Sequence, residues 1–129
     1  SKTESDHFLQ HNPDSGIWLT TDDGSLGVSG NVITALEVIE QSGKTNQIKI
    51  YTCGPSVMLE SVRNYSVKKN IECEIALECI MACGIGICQG CAVEMNYTNS
   101  NIETYRDRFK LVCIDGPIYK AESLKTCLV

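Results

Sequence analysis

The most constraining feature of this 129-residue sequence is a run of cysteines and glycines over residues 83–91. Its cysteines, Cys83, Cys88 and Cys91, have the C-x4-C-x2-C spacing of plant-type two-iron clusters, which take a fourth cysteine from further along the chain. Cys113, at the end of a β-prone run, is the predicted fourth ligand. Thiolates hold iron, and the intervening glycines let main-chain N–H groups approach sulfur. The spacing therefore predicts a [2Fe-2S] cluster.

Other uses of the cysteines stay open at this point. A structural zinc site usually has two C-x2-C knuckles, and only Cys88 and Cys91 form one here. Disulfides are the remaining alternative for a chain with eight cysteines. Cys79 could compete as a ligand, although it precedes the glycine-rich run. Cys73 is predicted to be a core residue, and Cys127 is interpreted as incidental to function.

Composition excludes several partners. The formal net charge of −5 argues against a nucleic-acid partner, because such proteins collect Lys and Arg on one face. No stretch approaches the roughly 20 apolar residues of a membrane helix, so we expect no membrane partner. The first 15 residues lack the pattern of a signal peptide, so a cytoplasmic setting is expected.

Upstream of the cysteines, strand and helix patterns alternate. Strands are predicted at residues 17–21, 48–53 and 71–77, and helices at residues 31–41 and 55–69. This order predicts an α/β fold with a parallel βαβαβ sheet and right-handed crossovers. On the second helix, the predicted buried stripe consists of Met58, Val62 and Tyr65.

The rest of the chain is predicted to form a small Cys-rich domain with short antiparallel strands at residues 92–97 and 109–113. Three segments follow from these patterns. They are a flexible leader over 1–15, an α/β lobe over 16–78 and the [2Fe-2S] domain over 79–129.

Four separated motifs resemble one known family. They are E-C-I-M-A-C-G-I-G-I-C at residues 78–88, V-C-I-D-G-P-I-Y at 112–119, T-T-D-D-G-S-L-G at 20–27 and Y-T-C-G-P at 51–55. The sequence resembles, from about residue 16 to 124, the electron-transfer subunit of NAD-dependent (class 1B) dihydroorotate dehydrogenase. That resemblance implies a ferredoxin-reductase-like nucleotide lobe followed by the cluster domain.

The resemblance also implies cofactors and their contacts. In that family an FAD-binding barrel precedes the nucleotide lobe, so we expect this chain to be a C-terminal fragment, with FAD and NAD(H) implied for the full-length protein. The implied nucleotide-binding residues are Asp22 and Gly24 after the first strand, and Cys53, Gly54 and Pro55 after the second. Both turns would lie at the carboxyl ends of adjacent parallel strands, where open α/β sheets bind ligands.

The function that the resemblance implies is electron transfer in pyrimidine biosynthesis. The FMN of a catalytic dihydroorotate dehydrogenase subunit takes two electrons from dihydroorotate, the cluster relays them singly, and FAD passes a pair to NAD+. The chain would then be an electron-transfer subunit or fragment within a hetero-oligomer, not the complete catalyst, and no catalytic residue is predicted. The alternatives are another flavin and iron-sulfur NAD(P)H oxidoreductase, of the hydrogenase or ferredoxin and sulfide reductase type, or a zinc-stabilised interaction module.

The cluster run also suggests a docking surface. Ile85 and Ile87 alternate with Gly84 and Gly86, so at least one isoleucine is expected to face outward beside the cluster. The alternative is that both pack inward and shield the sulfides.

Overall fold

The computed structural model describes residues 10–43, 48–96 and 104–128. By backbone packing, the chain divides into two compact units, Ser1–Gln47 and Ile48–Val129. The three functional segments drawn from the sequence stay predictions. Residues 1–9 of the predicted leader, and Tyr97 at the end of a predicted strand, lie outside the described residues.

The first unit contains two very short strands and a helix. β1 (Thr20–Thr21) pairs in parallel with β2 (Val28–Ser29), and α1 (Val32–Gln41) follows. The predicted helix is confirmed, and Asn31 caps it because its side-chain oxygen accepts hydrogen bonds from N–H groups of the first turn at 2.9 and 3.3 Å. The strand predicted at residues 17–21 is shorter and only half-buried, since its ladder with β2 covers two residues.

The second unit opens with a parallel strand, helix, strand arrangement, as predicted. β3 (Lys49–Cys53) and β4 (Glu72–Ala76) pair in parallel, and α2 (Ser56–Lys69) connects them. Pro55 precedes the helix, where its fixed φ is favourable and its missing N–H costs nothing. None of the helices in the described ranges is long and apolar enough to cross a membrane.

The buried face of α2 lies one position away from the predicted stripe. Leu59, Val62 and Ser66 are at most 1% exposed, whereas Met58 and Tyr65 are half-buried. The predicted stripe contained only apolar residues, whereas the third buried position of the helix is a serine. Its hydroxyl donates to the carbonyl of residue 63 at 2.9 Å, so burial leaves this polar group satisfied.

Beyond the cysteine-rich run, a small antiparallel hairpin forms. β5 (Ala92–Glu94) pairs with β6 (Phe109–Leu111), and short helices flank β6, namely α3 (Tyr105–Arg108) before it and α4 (Val112–Asp115) after it. The antiparallel pairing confirms the prediction, although both strands are shorter than expected.

Cys113 lies in α4, so its predicted place at a strand end is wrong. The chain turns there because the Asp115 carboxylate accepts a hydrogen bond from the backbone N–H of Leu111 at 2.7 Å. Such a local bond between an aspartate and a nearby backbone N–H competes with the strand ladder. The sulfur ligand is thus presented from a helical turn.

A strand from after the hairpin completes the sheet of the second unit. β7 (Ile118–Lys120) pairs antiparallel with β4, which gives the strand order β3-β4-β7. The inward positions of β4 are occupied by Cys73 and Ile75, which are 3% and 0% exposed. The predicted core role of Cys73 is therefore confirmed.

Residues 121–128, here called the C-terminal segment, connect α2 to the hairpin. On the α2 side, Arg63 Nε donates to a carbonyl of the segment at 2.8 Å, and the Glu60 carboxylate accepts from one of its N–H groups at 2.6 Å. On the hairpin side, the Asn96 N–H donates to a carbonyl of the segment at 2.7 Å, and the Glu94 carbonyl accepts from one of its N–H groups at 3.0 Å. The segment is therefore bonded along both of its sides.

Candidate metal centre

The four predicted ligands come from two places in the second unit. Cys83, Cys88 and Cys91 belong to residues 79–91, here called the cluster loop, and Cys113 belongs to α4. The hairpin register pairs Ala92 with Leu111, and the next N–H along, that of Val112, donates to the Cys91 carbonyl at 3.0 Å, so Cys91 and Cys113 are brought together just beyond the hairpin. Their sulfur atoms are 3.3 Å apart.

Cys83 and Cys88 form the first thiol pair. The backbone N–H of Cys88 donates to the Cys83 sulfur at 3.4 Å. That bond, with further N–H groups of Ile85 and Ile87 and the Cys88 thiol, lowers the pKa of Cys83 to about 6. The loop thus directs several amide groups at one sulfur, which favours the thiolate form that binds metal.

Cys91 and Cys113 form the second pair. Hydrogen bonds from the backbone and thiol of Cys113 lower the pKa of Cys91, and the shared proton raises the pKa of Cys113. The backbone of Gly86 also hydrogen-bonds to the Cys113 sulfur, so the loop between the first two cysteines reaches the second pair. The two pairs therefore belong to one centre.

Glycine gives the cluster loop its shape. Gly84 and Gly86 have φ angles of +67° and +79°, which residues with a side chain rarely adopt. A Cβ on Gly86 would stand 2.7 Å from the terminal methyl group of Ile114. The close backbone approach expected from the sequence is confirmed there, whereas Gly90 has no positive φ.

This donor set fits a [2Fe-2S] cluster. No three His, Cys, Asp or Glu side chains in the described ranges converge on a single ion position. The thiols lie instead in two pairs, and a cluster with two irons takes two thiolates on each iron. Cys83, Cys88, Cys91 and Cys113 could therefore hold such a cluster, with amide groups near the sulfur atoms.

The other cysteines differ in their surroundings. Cys79 is half-buried, and burial followed by the charge of Cys91 raises the pKa of its thiol. Cys127 is 0% exposed, because the C-terminal segment lies against α2, and that it is incidental to function stays a prediction. The sequence near Cys127 has no periodicity that would have predicted this burial.

Two of the three predicted nucleotide residues of the second unit, Gly54 and Pro55, line an open cleft. Cys53 is the last residue of β3 and lies outside the cleft lining, and Gly54, which follows it, has a φ of +145°. The cleft has a volume of about 660 Å³. It is lined by Gly54, Pro55 and Ser56 on one side and by Glu78, Cys79 and Ile80 on the other. The turn after β3 therefore faces the start of the cluster loop.

In the first unit, Asp22 and Gly24 lie in the turn after β1. Gly24 has a φ of +70°, and the neighbouring Asp23 carboxylate accepts from the N–H of Ser25 at 3.0 Å, which lowers the pKa of Asp23. A groove of about 490 Å³ runs from this turn to the amino end of α1. That these residues bind a nucleotide together with those after β3 stays a prediction.

Apolar side chains are exposed around the centre. Ile85 and Ile87 are 66% and 74% exposed, which confirms the predicted outward orientation. Ile114 of α4 is also exposed, and it lies against Gly86, the residue between Ile85 and Ile87 in the sequence. These three isoleucines are called the apolar patch below.

Sequence reasoning missed two residues next to the centre, Asp115 and Tyr119. Asp115 closes the turn that presents Cys113, and Arg106 forms an ion pair with it at 3.3 Å. The Asp-Gly-Pro run at residues 115–117 is a recognisable turn signal that could have identified this site. Tyr119 is buried on β7, and a strand-like run gives no sign of where its hydroxyl lies.

Comparison with protein families supports this centre. Residues 78–125 match the family described as the iron-sulfur cluster binding domain of dihydroorotate dehydrogenase B. The matched stretch contains all four predicted ligands and Tyr119.

Three curated relatives are named as electron transfer subunits of dihydroorotate dehydrogenase B, one of them as a probable subunit. The chain is 40% identical over 108 residues to the dihydroorotate dehydrogenase B (NAD(+)) electron transfer subunit of Caldanaerobacter subterraneus subsp. tengcongensis, which covers 84% of this chain. It is 32% identical to the probable subunit of Methanocaldococcus jannaschii over 86% of this chain, and 31% identical to that of Desulforamulus reducens over 80%. The matches span only 40%, 38% and 36% of the lengths of these relatives.

A solved structure shares the fold. It is a chain from the NADH-dependent reduced ferredoxin-NADP oxidoreductase, described in connection with flavin-based electron bifurcation. The TM-score is 0.61 and the sequence identity 24%, with 84% of this chain and 35% of that chain covered. The likeness confirms the predicted ferredoxin-reductase-like α/β class. Residues 78–125 are therefore similar to the iron-sulfur cluster binding domain of dihydroorotate dehydrogenase B, and the chain as a whole is similar to part of its electron transfer subunit.

Proposed function

We propose that this chain transfers single electrons through a [2Fe-2S] cluster held by Cys83, Cys88, Cys91 and Cys113. The observation that carries the proposal is the grouping of these thiols into two pairs within one loop and one helical turn. The cluster would connect the FMN of a dihydroorotate dehydrogenase catalytic subunit with FAD and NAD+, in pyrimidine biosynthesis. The relatives named as electron transfer subunits support this assignment.

When bound, such a cluster supplies a one-electron redox centre whose potential depends on hydrogen bonds to sulfur, burial and nearby charge. The protein controls each of these. Amide groups of the cluster loop donate to the Cys83 sulfur. Cys91 is 3% exposed whereas Cys88 is exposed, so the two pairs differ in their access to water.

The nucleotide side of the function rests on the two strand ends. Gly54 and Pro55 line the cleft beside the start of the cluster loop, and we propose that the nicotinamide of NAD(H) lies near them with Cys53. In the first unit, Asp22, which lines the groove after β1, and Gly24 of the same turn are the proposed nucleotide contacts. Carboxyl ends of parallel strands are the usual place for such ligands. FAD belongs to the full-length protein in this proposal.

The apolar patch is the proposed docking surface for the FMN-containing catalytic subunit, in a cytoplasmic hetero-oligomer. Isoleucines beside a redox centre exclude water when a partner covers them. The centre also lies close to the surface on this side, because Cys88 is exposed between the patch residues and Cys91. The distance that an electron travels between the two redox centres would then be short.

Iron content and spectra of two serine variants test the ligand assignment. We expect Cys113→Ser to lose the cluster, because only three of the four thiolates remain. The control is Cys127→Ser, which makes the same chemical change at a cysteine that is buried in the core. This variant should retain its iron. The measurements are iron analysis, visible absorption and EPR of anaerobically purified protein before and after dithionite.

Equal iron in both variants would refute the choice of Cys113. A colourless, redox-silent wild-type protein that contains zinc would refute the proposed function as a whole and support the interaction module instead.

A further inference from the structure

Tyr119 occupies a buried position at the centre of β7. It stands opposite Ile75 in the antiparallel ladder with β4, and it is 7% exposed. Its ring edge lies against Gly116, since a Cβ on Gly116 would be 2.7 Å from the hydroxyl oxygen. Gly116 directly follows α4, the turn that presents Cys113. The hydroxyl is therefore held next to the helical turn of the fourth predicted ligand.

The Tyr119 hydroxyl has no hydrogen-bond partner among the described residues. A buried hydroxyl without a partner destabilises a fold, and such groups in native proteins are usually hydrogen-bonded. The residue therefore calls for an acceptor that the polypeptide alone does not supply.

The groups around the hydroxyl indicate which acceptor this is. Burial, and next the charges of Asp115, Cys91, Cys79 and Cys113, raise the pKa of Tyr119 to about 12. The hydroxyl thus keeps its proton at neutral pH and can act as a donor. Asp115 already accepts from the N–H of Leu111 and pairs with Arg106, and the other charged groups that act on the hydroxyl are all cysteine sulfurs, those of Cys91, Cys79 and Cys113.

We propose that the Tyr119 hydroxyl donates a hydrogen bond to a sulfur atom of the bound cluster, on the side of Cys91 and Cys113. This inference rests on the proposed function, because it requires the cluster. A donor to sulfur stabilises the more negative, reduced form, so Tyr119 raises the reduction potential. Tyr119 is a positioning and tuning residue in this proposal, and it is not a ligand.

The test is Tyr119→Phe in the cluster-loaded protein, with EPR-monitored redox titration. The ring is retained, so iron content should be unchanged, while the equilibrium shifts about tenfold toward the oxidised form, or about 59 mV for a one-electron couple. Tyr105→Phe is the matched control, because its hydroxyl belongs to a side chain that is 45% exposed. An unchanged potential in Tyr119→Phe, or an equal shift in Tyr105→Phe, would overturn the proposal.

A vibrational measurement identifies the acceptor. In wild-type protein, transfer to D2O should shift iron-sulfur stretching frequencies, and Tyr119→Phe should lose part of that shift. If Cys79→Ala abolishes the effect of Tyr119→Phe, the hydroxyl binds the Cys79 thiol and the proposal is wrong. A wild-type protein without any cluster signal would count against the proposed function, whereas a normal cluster that is insensitive to Tyr119→Phe would count against this inference alone.

Discussion

The sheet of the second unit and the cluster loop are neighbours in sequence, yet different forces shape them. In the sheet region, Leu59 and Val62 of α2 and Ile75 of β4 are at most 1% exposed. Burial of this kind contributes roughly 1.5–3 kcal/mol per large aliphatic side chain. The sheet region therefore follows from its apolar pattern and requires no ligand.

The cluster loop has almost no core of its own. Of its residues only Cys91 is buried, and Ile85 and Ile87 point toward solvent. Its shape depends on glycines with positive φ and on amide groups directed at the Cys83 sulfur. The comparison teaches that one region is stabilised by apolar burial, while the other takes its shape from backbone conformation and from hydrogen bonds to sulfur.

The largest effect is expected from Leu59→Ala in the sheet region. Leu59 is 1% exposed, so the cavity should lower the free energy of unfolding by about 2–5 kcal/mol. Val57→Ala, on the exposed face of the same helix and 73% exposed, is the control and should change it by less than about 0.5 kcal/mol. Urea unfolding followed by circular dichroism measures both. Equal changes would mean that the burial assigned to this face of α2 is wrong.

The second effect is expected in the apolar patch. Ile87→Asp should keep fold and iron content, because the side chain is 74% exposed, yet weaken association with the FMN-containing catalytic subunit at least about tenfold. Isothermal titration calorimetry measures the affinity, and Val67→Asp, at a 49% exposed position of α2, is the control. Loss of iron in Ile87→Asp would show that this side chain shields the cluster, and unchanged binding would place the interface elsewhere.

The smallest effect concerns an exposed ion pair of the hairpin. Lys125 Nζ lies 2.9 Å from Glu94, and this bond, followed by those from Arg108, holds the pKa of the Glu94 carboxyl below its ordinary 4.5. A lowered carboxyl pKa stabilises the fold above the ordinary value, and that contribution is lost as pH falls through the folded-state pKa. Lys125→Met should therefore lower the urea midpoint slightly at pH 7 and less at pH 4. Lys110→Met serves as the control. If the urea midpoints of wild type and Lys125→Met differed more at pH 4 than at pH 7, the assignment would be contradicted.

Local patterns made much of the molecule predictable. The spacing of Cys83, Cys88 and Cys91 identified the loop that forms the centre, and strand and helix periodicity identified the parallel β3 and β4 pair. Both signals are contained in short stretches of chain. The glycines of the cluster loop were predictable for the same reason, because positive φ is a local property.

Hydrogen bonds made by side chains, whether to nearby or to distant residues, were not predictable from the apolar patterns. Ser66 was left out of the buried face because no pattern reveals that its hydroxyl is satisfied within the helix. Cys113 was placed at a strand end because the bond from Leu111 to Asp115 depends on how the chain turns. The burial of Cys127 depends on Glu60, 67 positions earlier in the chain.

The C-terminal segment has a consequence for the cooperativity of the second unit. Because its backbone is bonded to α2 through Glu60 and Arg63 and to the hairpin side through Glu94 and Asn96, neither neighbour can open fully without releasing it. Local unfolding then involves helix, segment and hairpin as one unit, and amide protons in all three should share a common protection against exchange. Because Cys91 directly precedes the hairpin, the stability of its position is coupled to α2 through these bonds.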